Sequence, residues 1–329
     1  MNFQQLRSVR EAVRCGFNLT EVANVLHTSQ PGVSRQIREL EEELGIELFV
    51  RSGKRLTGLT GPGRHVLPII EQILLGSSNL RQAGAEFASQ QSGRLSIAAT
   101  HSQARYALPS AVQAFRAQFP AIGVHLHQGS PKQVAAMLLS GEADVGIATE
   151  ALGQYEDLIA LPCYRWTHSV IVPPGHALLD GPLTLERLAG YPLITYDAGF
   201  TGRTRIDEAF AAQQLVPDIT LNAMDADVIK AYVELGMGVG IVASIAFEAE
   251  RDVTLRAIDA GPLFGINLTK LAVRRGTYLR GYVYAFVESF APMLTRSIVE
   301  QAVGGASAPL ELNPPAAVPA LLALEGAGH

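Results

Sequence analysis

Cysteine is scarce in this chain, with two thiols, Cys15 and Cys163, in 329 residues. Two thiols build no disulfide framework and leave no ligand set for structural zinc, so a reducing compartment is expected. No run approaches ~18 uninterrupted apolar residues, which excludes an ordinary membrane-spanning helix. Met1–Arg14 interleaves polar residues with Arg7, Arg10 and Arg14, and no long apolar run follows. An export signal is therefore not expected, and the expected location is the cytoplasm, with no membrane partner. P-loop, HExxH and GxSxG motifs are missing. His125 and His127 alternate on one strand face without a matching carboxylate or thiol, so a structural role is expected for both. GMGVG at 236–240 precedes an apolar strand instead of linking a strand to a helix, and reads as a tight turn. The expectation is a chain with no catalytic residue, no metal and no cofactor.

Charge is sparse, at 17% of residues, and the net charge of −5 argues at first against nucleic acid. Its distribution argues the other way. Residues 1–65 hold nine Lys or Arg against seven acids, whereas residues 94–329 hold sixteen against twenty-two. A DNA-binding module needs a local basic face, not a basic chain.

Helical periodicity is clear in the first 45 residues. Phe3, Leu6, Val9 and Val13 form one stripe, Val22, Ala23 and Leu26 a second, and Val33, Ile37, Leu40 and Leu44 a third. Asn18 is a candidate cap for the second helix. Gln30-Pro31 opens the third, where proline costs no internal hydrogen bond. Ala23 is small enough for the second and third helices to cross closely. Gln30, Ser34, Arg35 and Arg38 lie on the polar face of the third helix, where amide, hydroxyl and guanidinium groups can meet base edges and phosphates. Periodicity alone leaves a helix-turn-helix and an ordinary helical bundle both open.

Gly45–Thr60 places Leu48 and Phe49 before the basic group Arg51, Lys54 and Arg55, a pattern suited to a hairpin wing over phosphates or in a minor groove. Thr60 is a candidate cap for a helix of roughly 28 residues and 42 Å. Its long apolar stripe predicts pairing with a second copy.

Beyond Gly93 the texture alternates between strand and helix. LSIAA (95–99), VHLHQ (124–128) and ADVGIA (143–148), with helices at 106–119 and 131–139, predict a parallel βαβαβ unit. SVIVP (169–173), PLITY (192–196) and VGIVA (239–243) predict a second α/β unit, with helices near 184–189, 203–213 and 226–235. KLAVRRG (270–276) and one closing helix over 279–299 return to the first. The expected boundaries are 1–60 for the DNA-binding domain, 61–92 for the linker helix and hinge, and 93–301 for the two-lobe domain. Lobe I is expected at 93–164 and 268–301, lobe II at 165–267, and a disordered tail at 302–329.

Three loops in that domain are rich in hydroxyls and adjoin predicted helix starts: Thr100-His101-Ser102-Gln103, the loop at Thr149, and Gly199-Phe200-Thr201-Gly202. Backbone N–H groups with hydroxyl donors make an anion site without a lysine. Ordinary capping is the alternative. Arg203 either adds charge there or pairs with a carboxylate.

Residues 1 to about 65 resemble the DNA-binding domain of the LysR-type bacterial transcriptional regulators. The resemblance rests on Ala23, Leu26, Ser29-Gln30-Pro31, Val33-Ser34, Ile37, Leu40-Glu41, Leu44-Gly45, Leu48-Phe49, Arg51, Leu59-Thr60 and Gly63. It implies an N-terminal winged helix-turn-helix with a long dimerising linker helix, then a C-terminal two-lobe α/β effector domain like periplasmic binding proteins. ATHSQARYALP (99–109), the Thr149 loop and GFTGR (199–203) are similar to the CysB subgroup, and this likeness spans roughly residues 1–300. It implies control of sulfur assimilation, with an acetylserine-type compound, sulfate or a related anion as effector. The implied effector-binding residues are Thr100, His101, Ser102, Gln103, Thr149, Thr201 and Gly202. Ser102 stands where the subgroup usually has Thr, keeping the hydroxyl and losing a methyl. The implied DNA-binding residues are Gln30, Pro31, Ser34, Arg35, Arg38, Arg51 and Arg55. Promoter DNA and further copies of the chain, as a dimer or tetramer, are the implied partners. A regulator of sulfonate or sulfate-ester use, answering to sulfate or adenylyl sulfate, is the alternative within the class. A small-molecule-binding protein without a regulatory role is the alternative outside it.

Overall fold

The computed structural model describes residues 1–53, 55–88, 93–304 and 313–316, and for Ala88, Glu150 and Thr201 the backbone alone. The chain divides into two units, 1–88 and 89–329.

The first unit begins with α1 (Phe3–Arg14), α2 (Leu19–Val25) and α3 (Gln30–Leu44). Each start is fixed by a side chain. Asn2 and Gln5 form a capping box, Asn18 accepts from the Thr20 and Glu21 amides, and Ser29 accepts from Gly32. Gly45, at φ 67°, ends α3 in the left-handed region. The expected stripes meet in part: Leu6, Val9, Val22, Ala23, Val33, Ile37 and Leu40 share one core with Leu48 and Phe49, whereas Phe3 and Leu44, at the ends of their stripes, are exposed. A hairpin follows, β1 (Phe49–Ser52) paired antiparallel with β2 (Arg55–Leu59). The Thr60 hydroxyl donates to Glu47 O (2.6 Å) and accepts from Gly63 N (2.9 Å), which caps α4 (Gly61–Ala88). A Cβ at residue 63 would stand 2.0 Å from Leu48 O, so this approach requires glycine. Along α4, Ile70 and Leu74 join the core, while Ile69, Ile73, Leu80 and Phe87 are exposed.

The second unit contains two sheets. Lobe I is built from β3 (Gly93–Ala99), α5 (Leu108–Gln118), β4 (Ile122–Gln128), α6 (Pro131–Ser140), β5 (Val145–Thr149) and β6 (Leu158–Trp166). The chain crosses at Thr167 into lobe II, made of β7 (His168–Val172), α7 (Leu185–Ala189), β8 (Leu193–Tyr196), α8 (Thr201–Ala212), β9 (Ile219–Ala223), α9 (Ala226–Glu234), β10 (Val239–Ala243), β11 (Arg256–Asp259) and α10 (Gly261–Phe264). It returns through β12 (Asn267–Arg274), then α11 (Gly281–Phe290) and α12 (Arg296–Val303). The strand orders are β4-β3-β5-β12-β6 and β11-β7-β10-β8-β9. In lobe I, β3 is parallel to β4 and β5, and β12 is antiparallel to β5 and β6. These pairings put the carboxyl ends of β3 and β5 side by side, the usual position of a ligand in such sheets.

Two expectations need correction. The closing helix is two helices, because Pro292 cannot continue α11 and the chain turns at Ala291 before α12. Strand β6, with Pro162 inside it, was not expected; the proline lies at the register shift opposite Thr269 and Lys270, where its missing N–H is tolerated. At 313–316, Arg165 N donates to Pro315 O (2.8 Å), its guanidinium donates to Asn313 Oδ1 (3.1 Å), and Pro314 is buried. This short segment covers part of the β6 edge. The remaining tail expectation lies outside the described residues.

Candidate functional site

On the first unit, Gln30, Pro31, Arg35 and Arg38 are exposed along the start of α3, with Ser34 half-buried among them. Arg38 donates to the Ser34 hydroxyl (3.2 Å) and Arg35 pairs with Glu39 (2.7 Å), so both guanidinium groups are held along the helix. An open groove of about 500 Å³ runs between the α1–α2 turn, the start of α3 and the wing, with Gln30 and Arg55 on its walls. Arg51 is tied differently. It donates to Glu41 Oε2 (2.7 Å), while Oε1 of the same buried carboxylate accepts from Leu48 N (2.9 Å) and Phe49 N (3.2 Å). Arg51 therefore fixes the wing to α3. The face presents amide, hydroxyl and guanidinium donors over one stretch of helix and an adjacent hairpin, groups able to pair with base edges and phosphates.

On the second unit, Thr100, Ser102, Gln103, Thr149 and Gly202 converge on one cavity of about 30 Å³. That is room for two or three waters and far below the ~300 Å³ of a typical drug-sized site. Two of the expected residues stand apart. His101 does not line the cavity; its Nε2 is 3.7 Å from Asp225 Oδ2 on lobe II. The side chain of Thr201 lies outside the described residues. Arg203 pairs with Asp207 (2.8 Å) and donates to Tyr196 O (3.0 Å) and Asn222 Oδ1 (2.5 Å), so its charge is taken up by these partners, and it does not line the cavity.

The cavity also has walls that sequence reasoning missed: Trp166, Tyr196, Phe200 and Ala243. Trp166 is 7% exposed, and its Nε1 has no protein partner among the described residues, leaving an indole donor beside the cavity. Beneath lies a hydrogen-bonded floor. Tyr164 donates its hydroxyl to Gln103 Oε1, and Gln103 Nε2 donates to Thr269 Oγ1 (3.3 Å). Thr269 stands directly opposite Thr149 in the sheet register. With its carbonyl engaged, Gln103 keeps a second amide hydrogen for the cavity. Burial pushes up the pKa of the Tyr196 hydroxyl, which accepts from Ala243 N (3.0 Å) and is hydrogen-bonded to Ser102. The described lining holds hydroxyl, amide and indole donors with no ammonium or guanidinium.

Residues 3–64 match the bacterial regulatory helix-turn-helix model of the lysR family, and residues 88–294 match the LysR substrate binding domain. The chain belongs to the LysR family of transcriptional regulators. It is 56% identical over 298 residues to the HTH-type transcriptional regulator SsuR of Burkholderia cenocepacia, covering 90% of this chain and 97% of that one. It is 54% identical over 313 residues to CysB of the same organism, covering 95% and 100%. Against Cbl of Escherichia coli, identity is 52% over 289 residues, covering 88% and 92%. Among solved structures, the cofactor-binding domain of the Cbl transcriptional regulator superposes with TM-score 0.64 at 45% identity, covering 66% of this chain and 96% of that one. Full-length CbnR with its target DNA shares the fold, with TM-score 0.54 at 21% identity, covering 88% and 98%. This LysR regulator is thus closely related to the CysB, SsuR and Cbl subgroup. No described helix is long and apolar enough to cross a membrane.

Proposed function

We propose that this regulator senses a compact sulfur-linked anion between its lobes and answers at promoters of sulfur-acquisition genes. The observation that carries the reading is the cavity lined by Thr100, Ser102, Gln103, Thr149 and Trp166 without a described cation. Neutral donors converging in a small space suit a tetrahedral oxyanion, which accepts hydrogen bonds in every direction. At about 30 Å³ the cavity accommodates a compact anion of the size of sulfate. Likeness to the CysB subgroup supports the sulfur link and leaves acetylserine-type compounds as effectors of the same cleft.

Gln30, Ser34 and Arg35 meet base edges in the major groove, with Pro31 opening the helix that carries them. Arg38 and Arg55 contact phosphates, and Arg51 holds the wing in place. Two copies pair through α4, whose uncovered residues Ile73, Leu80 and Phe87 recur every seventh position. Such pairing presents two reading heads to an inverted repeat, and a tetramer holds two such sites. Effector binding shifts promoter occupancy only so far as it favours one arrangement of the assembly over another.

Calorimetric titration of the full chain with sulfate, acetylserine and adenylyl sulfate tests the effector, with Thr100→Val as the control. Losing that buried hydroxyl costs about 1–3 kcal/mol, roughly a 5- to 150-fold rise in Kd. Footprinting on sulfate-uptake and sulfonate-use promoters, with and without each compound, separates general sulfur assimilation from the organosulfur reading. Wild-type protein that binds none of the three overturns the proposal.

A further inference from the structure

The residues from Thr100 to Tyr106 carry two sets of contacts. Thr100, Ser102 and Gln103 line the cavity. His101, Arg105 and Tyr106 reach across to lobe II. A local change of helix pitch accompanies this split. Gln103–Ala107 is a π-helical turn, in which Leu108 N donates to Gln103 O. Pro109 follows; it has no N–H for the carbonyl of Arg105, and its ring crowds that carbonyl. The extra residue in the turn changes the phase between Gln103 and the positions after it.

Tyr106 is the far end of that segment. It belongs to lobe I, yet packs in the lobe II cluster with Ile194, Tyr196, Ala226 and Ile229, and is 7% exposed. Its hydroxyl donates to Asp227 Oδ1 in the first turn of α9. Lys230 Nζ lies 3.1 Å from that same oxygen, 3.0 Å from Asp252 Oδ1 and 5.2 Å from the Tyr106 ring centroid. Arg105 Nε approaches Asp227 Oδ2 at 3.4 Å. Burial disfavours the charged Asp227, but the Tyr106 hydrogen bond and Lys230 outweigh it and hold the carboxyl below its usual pKa. Lys230, also opposed by burial, is raised above its usual value by its bonds to Tyr106 and Asp252. The carboxylate and ammonium therefore both stay charged near neutral pH.

We propose that Tyr106 is a positioning residue: bonded to Asp227 beside Lys230, it clasps lobe I onto lobe II and so sets the affinity of the effector cavity. The inference rests on that cavity being the effector site. An anion that bridges Thr100 and Gln103 on one lobe to the Gly202 edge on the other binds more tightly when the lobes are already held together. Tyr106 does not line the cavity itself, so its effect passes through the segment it shares with Thr100, Ser102 and Gln103 and through Tyr196, its neighbour in the cluster. Asp225, at the N-cap of α9, and His101 form the flank of the same clasp.

Tyr106→Phe keeps the ring in its apolar cluster and removes only the hydroxyl, and Asp227→Asn removes the charge. Spin labels at Lys132→Cys on α6 and Glu208→Cys on α8, in a Cys15→Ser background of the full chain, report the interlobe distance without any anion. Sulfate titration of the unlabelled full chain reports affinity. Each single variant should broaden the distance distribution towards longer values and raise the sulfate Kd about tenfold, leaving operator affinity of the unliganded protein within twofold. Asp227 also pairs with Lys230 and Arg105, so the double variant should be no worse than Asp227→Asn alone, because Tyr106 acts through Asp227. Unchanged distances, or additive losses in the double variant, overturn the clasp even where sulfate binds well. Widened distances in a protein that binds no sulfate uphold the clasp and count against the effector reading.

Discussion

Gln103 and Thr269 are 166 positions apart in the chain, and their side chains join under the cavity, with Gln103 Nε2 3.3 Å from Thr269 Oγ1. Tyr164 completes the floor by donating to Gln103 Oε1. All three are buried, Tyr164 and Thr269 completely. The orientation of the Gln103 amide, and hence the donor it offers upward, is decided by strands β6 and β12 and not by the loop that carries it.

Tyr164→Phe tests that dependence. It leaves the Gln103 carbonyl buried without its donor, which costs about 1–3 kcal/mol of stability. Anion affinity should fall as well, since the amide is then free to turn its acceptor towards the cavity. Urea unfolding gives the first quantity and sulfate calorimetry the second. A variant with lowered stability and unchanged affinity would show that Gln103 is oriented by something else.

Gly202→Ala tests how closely the first turn of α8 must approach. A Cβ there would stand 3.0 Å from His168 Nε2 and 3.2 Å from Trp166 Cη2. Both rings are packed from behind, so the first turn of α8 must move outward, away from the Trp166 donor. Sulfate binding should weaken about tenfold or more, with operator affinity of the unliganded protein unchanged. Calorimetry and gel retardation report the two separately.

Arg55 and Arg51 should behave differently although both lie on the wing. Arg55 borders the open groove beside Gln30, whereas Arg51 is bonded to Glu41. Arg55→Ala should lower operator affinity uniformly across sequences and reduce the salt slope of log K by about 0.9, one phosphate contact. Arg51→Ala should also lower the stability of the first unit, because the buried Glu41 loses a charge partner. Salt-dependent fluorescence anisotropy and thermal unfolding distinguish the two.

Much of this was legible in the residues. Caps at Asn18 and Thr60, and the stripes of the first three helices, follow from local chemistry, so the DNA-binding unit could be read with little tertiary help. The loops at Thr100 and Thr149 were visible because each ends an apolar strand. Trp166, Tyr164 and Thr269 were not. They lie on β6 and β12, and β6 was hidden by Pro162, whose place at a bulge only the pairing with β12 reveals. Tyr106 was hidden for another reason: the π turn breaks the 3.6-residue period from which its direction would have been read.

Stability should also depend on pH through His168. The ring is completely buried on β7, flanked by Trp166 and Phe264 at centroid distances of 5.1 and 5.5 Å. Burial, aided by the positive charge of Arg205, lowers its pKa to about 4. An unfolded chain protonates near pH ~6.5. Between those values the unfolded state binds a proton that the folded state refuses, so the stability present above pH ~6.5 is lost as pH falls towards 4 and changes little further below it. From pH 7 to pH 5 this one group should cost roughly 2 kcal/mol. Urea titrations at the two values should show that loss in the wild type, and a loss smaller by about that amount in His168→Phe. An equal pH dependence in both proteins would place the titrating group elsewhere.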